Sequence, residues 1–311
     1  MELEVRHLRA LCAIAEAGSL HKAARQLGVT QPSLTAQLRR IERALDGELF
    51  LRDRTGCRPT PFGREVLGRA RPLLDGMASL LAEARAAAGG PRLRVGSTAS
   101  RALPGWLRRL RRRLPDTETS LLVDVSANAL LRMVAAGRLD VAFVHEVEGS
   151  PLRIPSGLDV RVLVEREPQF VSLARDHPAA RHEVVDLADL AGDRWMVDPS
   201  VDGEWAGLRR VLAAAGLDPP YLHADYHTAA ALIVTGDAVA PCQPTSGPRD
   251  DMAIRPLRGD PLAVRLLLAQ PPGADPAVYA DLLAAYREAA LTSAGYRSWL
   301  ARAGSPLLGV A

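Results

Sequence analysis

Between Gln31 and Arg43 the chain carries two kinds of hydrogen-bonding side chain in a fixed order. Short polar or methyl-bearing residues come first and arginines follow: Gln31, Ser33, Thr35 and Ala36, then Arg39, Arg40 and Arg43. On a helix lying in the major groove of DNA, short side chains reach base edges and longer cations reach phosphates. Arginines alone would more often indicate a solvated helix face. The order of residue types therefore favours a helix that contacts DNA.

Three short helices are predicted to position these residues. Gly28 ends the second helix, and Thr30 caps the third, whose Pro32 lies in the first turn, where a missing N–H costs nothing. The inner face of the third helix is apolar at helical spacing: Leu34, Leu38, Ile41 and Leu45. Two short helices, a glycine-containing turn and a longer third helix predict a helix-turn-helix.

Two further features follow the third helix. Short extended pieces on either side of Thr55-Gly56 predict a small β-wing that carries Arg52 and Arg54. Thr60 then caps a long helix with an apolar heptad seam: Val66, Ala70, Leu73, Met77, Leu80 and Ala84. The seam suits a two-chain coiled coil or one helix packing on its own chain, and the pattern alone leaves both open.

Length and charge divide the chain at Gly89-Gly90-Pro91. With 311 residues, two or three compact units are expected. Residues 1–90 contain 14 Lys and Arg against 10 Asp and Glu, whereas residues 91–311 contain 25 against 26, which hints at nucleic acid near the N-terminus.

No apolar run suits a membrane helix, and the start of the chain lacks the basic region of a secretion signal, so a cytoplasmic protein is expected. Three cysteines without a C-x-x-C pair predict free thiols.

After the break the pattern predicts strands alternating with helices, in two α/β lobes with a cleft at the strand ends. Polar residues in the strand-end loops are the candidates for contacts with an effector: Ser97, Thr98, Ser100, Ser126, Asn128, Asp198, Ser200, His227 and Thr228. Ser97, Thr98 and Ser100 open the first helix of this region, where free N–H groups and the helix dipole favour an anion, so a carboxylate or another anionic metabolite is the expected effector. Each one could instead be a plain helix cap.

Enzyme motifs are missing from the sequence. It contains no G-x-S-x-G, no G-x-G-x-x-G and no Walker loop. His145-Glu146 begins like a zinc motif, but Gly149 stands where the second histidine would be, and His223 and His227 lie near a predicted strand rather than on a helix. We therefore expect no catalytic residues, no metal and no cofactor.

Residues 1–62 closely resemble the winged helix-turn-helix of LysR-type transcriptional regulators. The resemblance rests on several elements at fixed mutual spacing: Gly18-Ser19-Leu20, Ala23-Ala24, Gln31-Pro32-Ser33-Leu34-Thr35, Ile41-Glu42, Leu49-Phe50, Arg52 and Thr60-Pro61-Phe62-Gly63. It implies that Gln31, Pro32, Ser33, Thr35 and Gln37 approach DNA and that the long helix is the dimerising linker. Ala36 departs from the arginine that many relatives carry; a methyl group can touch thymine but cannot pair with guanine.

Residues 91–311 resemble the effector domain of the same family. This second resemblance rests on three elements: Leu93-Arg94-Val95-Gly96, Gly137-Arg138-Leu139-Asp140-Val141-Ala142, and His177-Pro178 with Leu187-Ala188-Asp189-Leu190. The two resemblances together imply a fold class of α plus α/β. The expected parts are a winged helix-turn-helix (1–62), a linker helix (63–90) and a two-lobed effector domain like the periplasmic binding proteins (91–311, with lobes at about 91–160 plus 262–311 and about 161–261). The full set of candidate DNA contacts is Ser19, His21, Lys22, Gln31, Pro32, Ser33, Thr35, Ala36, Gln37, Arg39, Arg40, Arg52 and Arg54.

Together these features predict a ligand-responsive transcription factor that binds a two-fold promoter site in double-stranded DNA. A homodimer or homotetramer, a small-molecule effector and, as a further candidate partner, RNA polymerase complete the prediction, with no role at a membrane. The alternatives are a solute-binding protein of the transport class, which shares the second fold but not the first 90 residues, and a hydrolase that uses the cleft.

Overall fold

The computed structural model describes residues 3–53, 56–88, 90–247, 250–303, 305 and 307. The side chains of residues 52, 53, 56, 75, 78, 79, 81–88 and 227 lie outside this description. The chain divides into two compact units, Met1–Arg85 and Ala86–Ala311. No helix in the described part of the chain is both long and apolar enough to cross a membrane.

The first unit is a winged helix-turn-helix followed by a long helix, which confirms the predicted elements. Its elements are α1 (Val5–Ala17), α2 (Leu20–Gln26), α3 (Gln31–Ala44), β1 (Phe50–Asp53), β2 (Gly56–Pro59) and α4 (Pro61–Ala88). The three short helices bury a shared core that includes Leu11, Ile14, Leu34, Leu38 and Ile41, all fully buried. The hydrogen bond from the Cys57 N–H to the Gly18 carbonyl (2.8 Å) ties β2 to the end of α1.

The turn between α2 and α3 requires a glycine. Gly28 has a φ of +66°, a left-handed conformation that a side chain with a Cβ rarely adopts. The Val29 N–H then bonds to the Ala24 carbonyl (3.0 Å), which closes the end of α2. The chain is thus turned into α3 within three residues.

The long helix α4 has two different halves. Thr60 caps it by accepting a hydrogen bond from the Gly63 N–H (2.8 Å), as predicted. Leu67 and Ala70 are buried in the core of the first unit, whereas Leu73 and Leu80 are each 64% exposed. The predicted seam therefore packs on its own chain at the start of the helix and faces outward further along.

The second unit contains α/β elements in alternation. They are β3 (Arg92–Ser97), α5 (Leu103–Arg113), β4 (Glu118–Val123), α6 (Ala127–Ala135), β5 (Val141–Val147), β6 (Asp159–Pro168), β7 (Phe170–Ala174), β8 (Trp195–Val197), α7 (Glu204–Ala214), β9 (Tyr221–His223), α8 (Tyr226–Val234), β10 (Ala240–Cys242), β11 (Met252–Pro256), β12 (Ala263–Gln270), α9 (Pro276–Thr292) and α10 (Ala294–Arg302). Short 3-10 turns lie at Pro178–Arg181 and Leu187–Leu190.

One lobe of this unit is built on a five-stranded sheet in the order β4-β3-β5-β12-β6. Strand β3 runs parallel to β4 and β5, while β12 runs antiparallel to β5 and β6. Alternate buried residues of these strands pack against α5 and α9, with Phe143 in edge contact with both Trp106 and Tyr286. The predicted βαβαβ order of this lobe is confirmed.

The other lobe has a three-stranded antiparallel sheet, β10-β7-β11, and a parallel pair, β8-β9. Its core surrounds the buried Trp195. The lobe boundary differs from the predicted one near residue 160, because β6 pairs with β12 and so belongs to the first sheet. The chain crosses between the lobes after Pro168, where the Gln169 N–H bonds to the Leu262 carbonyl (2.8 Å) of the returning strand segment.

Candidate functional site

Helix α3 presents the predicted polar face to the surface. Its N-terminus is capped by Thr30, whose hydroxyl accepts from the Ser33 N–H at 3.4 Å. Because Leu34, Leu38 and Ile41 are fully buried, the helix cannot rotate without exposing its apolar stripe. The candidate residues on the outer side are exposed: Gln31, Pro32, Ser33, Ala36, Arg39 and Arg40. Thr35 and Gln37 are half-buried on the flanks, as projected from the sequence.

Helix α2 supplies the remaining candidates before the turn. Ser19 stands at its N-cap position with extended backbone, although its hydroxyl makes no capping hydrogen bond. His21 and Lys22 are exposed, and Ala23 and Ala24 on the opposite side are buried. The structure thus leaves the polar side chains of α2 and α3 available to a ligand as large as a DNA duplex.

The wing is an antiparallel hairpin in which Leu51 pairs with Arg58 and Arg52 with Cys57. The predicted DNA contact of Arg52 depends on a side chain outside the described part of the chain, and Arg54 lies outside the described residues altogether. The hairpin itself confirms the predicted wing.

A cavity of about 550 Å³ lies between the two lobes of the second unit, with mostly apolar walls. Of the predicted effector contacts whose side chains are described, Thr98 and Ser100 line it. Ser97 is fully buried behind it and donates its hydroxyl to the Thr98 carbonyl (2.6 Å). Its position follows from the alternation of strand β3, which turns successive side chains to opposite faces.

The other predicted contacts serve helix ends and turns. Ser126 caps α6 by accepting from the Ala129 N–H (3.1 Å). Asp198 accepts from the Ser200 N–H (2.8 Å), and the exposed Thr228 donates its N–H to Asp225 (2.8 Å), the N-cap of α8. The side chain of His227 lies outside the described part of the chain. These roles match the plain-cap alternative.

Ser126 and Asn128 are brought together by a residue that the sequence analysis missed. One carboxylate oxygen of Asp202, Oδ2, accepts from the Ser126 hydroxyl (2.8 Å) and from the Asn128 N–H (2.9 Å). Asp202 belongs to the loop before α7 in the opposite lobe and lines the cavity. Since 74 residues separate Asp202 from Asn128, no local pattern points to the contact.

Two further residues that line the cavity have shifted pKa values. Burial lowers the pKa of His145 to about 4, so its imidazole is neutral at pH 7. Burial raises the pKa of Glu204 to about 7, against the opposing effect of hydrogen bonds from the Tyr226 hydroxyl (3.0 Å) and the Asp198 N–H (3.3 Å). Glu204 heads α7, and this position after a strand-end loop is the signal that could have identified it.

Cysteine and metal chemistry gain no support from the cavity. Burial raises the pKa of the Cys242 thiol to about 12, so the reactive thiolate is scarce at pH 7. Within the described residues, no group of three or more His, Cys, Asp and Glu side chains is placed to hold a metal ion.

Comparison with known proteins identifies the family to which the two units belong. Residues 5–64 match the family described as bacterial regulatory helix-turn-helix protein, lysR family, and residues 86–291 match the LysR substrate binding domain. The chain belongs to the LysR family. It is a DNA-binding transcriptional regulator with an effector-binding domain. The alternative prediction of a transport-class solute-binding protein fails, because the DNA-binding part of the family covers the first unit.

The LysR relatives include proteins of high similarity along the whole chain. The small neutral protease regulatory protein of Streptomyces coelicolor is 67% identical over 304 residues, covering 95% of this chain and 96% of the relative. The protein of the same name from Streptomyces lividans is 68% identical over 302 residues, covering 96% of this chain and 87% of the relative.

Solved structures of LysR regulators share the fold. Full-length CbnR in complex with its target DNA is 25% identical with a TM-score of 0.50, over 93% of this chain and 100% of that one. A C206 mutant of Corynebacterium glutamicum OxyR is 24% identical with a TM-score of 0.53, over 98% and 97% of the two chains. The predicted fold class and family are therefore confirmed.

Proposed function

We propose that this LysR regulator controls transcription of a gene for a small neutral protease, by reading a two-fold promoter site with α3 of paired chains. The proposed target rests on the 67% identity with a regulator that bears that name. The observation that carries the DNA-reading role is the exposed polar face of α3, held outward by its fully buried apolar stripe.

The two halves of that face have different tasks. Gln31, Ser33 and Thr35 present hydrogen-bonding groups, and Ala36 a methyl, to the base edges. Arg39 and Arg40, one to two turns further along, bind phosphates and add affinity that does not depend on sequence. Ser19 at the N-cap of α2, His21 and Lys22 within α2, and the predicted contacts Arg52 and Arg54 bind the flanking DNA backbone.

The outward half of α4 is the proposed dimer contact. Leu73, Met77 and Leu80 lie at spacings of four and three and remain exposed in the single chain. Two such helices would bury these apolar side chains against each other and hold two copies of α3 on one site. A dimer of such dimers is the tetramer that the family resemblance implies.

The interlobe cavity is the proposed effector site. A ligand that binds one arrangement of the lobes better than another shifts the population of assemblies and thereby the geometry on DNA. Thr98 and Ser100 are the predicted contacts that line it. The chain acts in the cytoplasm, where genomic DNA lies, and regulates without catalysing a reaction.

Footprinting on the promoter of a small neutral protease gene tests this function. The purified full-length chain should protect one region with two-fold symmetry and should prefer it to bulk competitor duplex by about 10³ or more. Thr117→Ala, a half-buried threonine of the second unit, is the matched control for changes in α3 and should leave protection intact. Equal affinity for promoter and competitor would refute the proposal.

A further inference from the structure

The N-terminus of α6 already holds a carboxylate, and it comes from the protein itself. Asp202 Oδ2 lies 2.8 Å from the Ser126 hydroxyl and 2.9 Å from the Asn128 nitrogen. The hydroxyl of Ser126 in turn accepts from the Ala129 N–H, and the Ser126 carbonyl accepts from the Leu130 N–H (3.2 Å). An anionic ligand at a helix N-terminus uses donors of this kind, so Asp202 occupies the position that such a ligand would take at α6.

Packing, and not the carboxylate alone, brings Asp202 to this position. The next residue, Gly203, has a φ of +81°, and a Cβ added there would lie 2.6 Å from the Ser150 Cβ of the opposite lobe. One turn further along α7, a Cβ on Gly207 would lie 2.6 Å from a methyl of Val147. Arg210 donates to the carbonyls of Glu148 and Gly149. The start of α7 is therefore seated closely on residues 147–150 of the first lobe.

The charge state of Asp202 suits an internal ligand. Burial alone would raise the pKa of Asp202, but hydrogen bonds from Asn128 and Ser126 and the charge of Arg132 outweigh it and lower the pKa. The group is thus ionised at neutral pH, and it complements the partial positive charge of the helix end.

The charged side chains of the cavity lining offer little to balance a second anion. Glu204 lies in the same wall, and His145 is neutral. Among the described lining residues the formal cation is Arg101, which is exposed and lies against Gly247. The remaining walls are mostly apolar.

We propose that Asp202 acts as an internal carboxylate ligand of α6 and sets the specificity of the cavity, so that the effector is an apolar molecule that is uncharged, or positively charged, at this end. The proposal rests on the proposed role of the cavity as the effector site. It differs from the sequence-based expectation of an anionic metabolite, which rested on the helix that Ser97, Thr98 and Ser100 open.

Chemical rescue tests the assignment. The probe is acetate, compared with chloride at equal ionic strength, in thermal unfolding of the full-length chain. Asp202→Ala should melt at a lower temperature than wild type, and acetate should raise its melting temperature by about 2–4 °C. Wild type and the control Asp218→Ala, which removes an exposed carboxylate after α7, should show no such gain. An equal acetate effect in wild type, or none in a folded Asp202→Ala, would overturn the proposal.

If Asp202→Ala does not fold, a measurement on wild type alone still tests the proposal. The Asn128 amide resonance should stay unchanged up to about 200 mM acetate, an excess over ordinary weak anion binding, because Asp202 fills the site. A saturable shift of that resonance would show a free helix end and would refute the inference.

The ligand class is tested with an isosteric pair, hexanamide and hexanoate. Wild type should prefer the amide, and Asp202→Ala should change the ratio of the two affinities toward the carboxylate by about tenfold or more. An unchanged ratio would overturn the specificity role. None of these assays contains DNA, so they can fail while the promoter footprint succeeds, and the two proposals are judged separately.

Discussion

The polar side chains proposed to bind ligands are exposed to solvent in the first unit and bonded to one another in the second. In the first, the proposed DNA-reading groups come from one continuous stretch of α3, and most are exposed. In the second, several polar groups at the cavity come from distant segments and bond to one another, as Asp202 does to Ser126 and Glu204 to Tyr226. A surface that binds a large, hydrated partner can leave its groups in water, whereas polar groups buried at a small cavity gain stability when they find partners within the protein.

This difference separates the consequences of mutation. On α3, a change to an outward side chain should alter recognition and leave folding almost untouched. Around the cavity, a change to one polar group removes the partner of another, so stability and ligand choice should change together.

The largest effect is expected from the exposed half of α4. Replacing Leu73, Met77 and Leu80 together by Glu places like charges on both sides of the proposed seam. We expect monomers by analytical ultracentrifugation and a loss of promoter affinity of about 10²–10⁴-fold, because bivalent binding is lost. The monomeric variant should keep the wild-type fold, since the three replaced side chains are exposed. Persistence of the native oligomer would place the dimer contact elsewhere.

The inner and outer faces of α3 should respond very differently to truncation. Leu38→Ala removes a fully buried side chain and should destabilise the first unit by about 2–5 kcal/mol. Arg39→Ala, at the adjacent exposed position, should change stability by about 0.5 kcal/mol or less. Denaturant unfolding measures both, and comparable losses would contradict the assignment of the two faces.

A smaller effect should appear within the exposed face itself. Gln31→Ala and Thr35→Ala should each weaken binding to the promoter by about 1–3 kcal/mol and leave nonspecific binding nearly unchanged. Arg39→Ala and Arg40→Ala should weaken both kinds of binding and lower the slope of log affinity against log salt by about one unit each. A salt titration separates the two groups. Equal losses on promoter and competitor for the first pair would remove their base-reading role.

The same contrast explains which features the sequence could predict. The cap at Thr30, the turn at Gly28 and the buried stripe of α3 depend on residues within a few positions of one another, and the structure confirms each of them. Local backbone preference and helical periodicity are sufficient information for such features.

The cavity depends on tertiary contacts that no local pattern contains. Strand β6 joins the first lobe because it pairs with β12, about 100 residues later, whereas the boundary predicted at about residue 160 falls near the start of this strand. Likewise, Ser126 was predicted at a helix start, yet its bond to Asp202 arises only when the lobes meet. Thr98 and Ser100 could be predicted to line the cavity because they directly follow a strand end.

The smallest expected effect concerns a buried carboxyl where the chain crosses between the lobes. Glu167 is 1% exposed and lies 3.0 Å from the Tyr296 hydroxyl. Burial raises its pKa to about 8, with the Tyr296 hydrogen bond acting in the opposite direction. The folded state therefore keeps the proton over a range in which the unfolded chain has released it. Stability contributed by the protonated group is lost as pH rises from about 4.5 to about 8.

Glu167→Gln should remove this dependence, because the amide does not ionise. We expect the variant to gain stability relative to wild type by about 1–2 kcal/mol between pH 5 and pH 7, measured as the difference in melting temperature at each pH. Glu165→Gln, two residues earlier on the same strand and exposed, is the matched control and should show a constant difference. If the melting-temperature difference between Glu167→Gln and wild type is also independent of pH, the Glu167 carboxyl is ionised in the folded chain and is stabilised by interactions there. Glu167 would then no longer exemplify the buried acids that distinguish the second unit from the exposed polar face of the first.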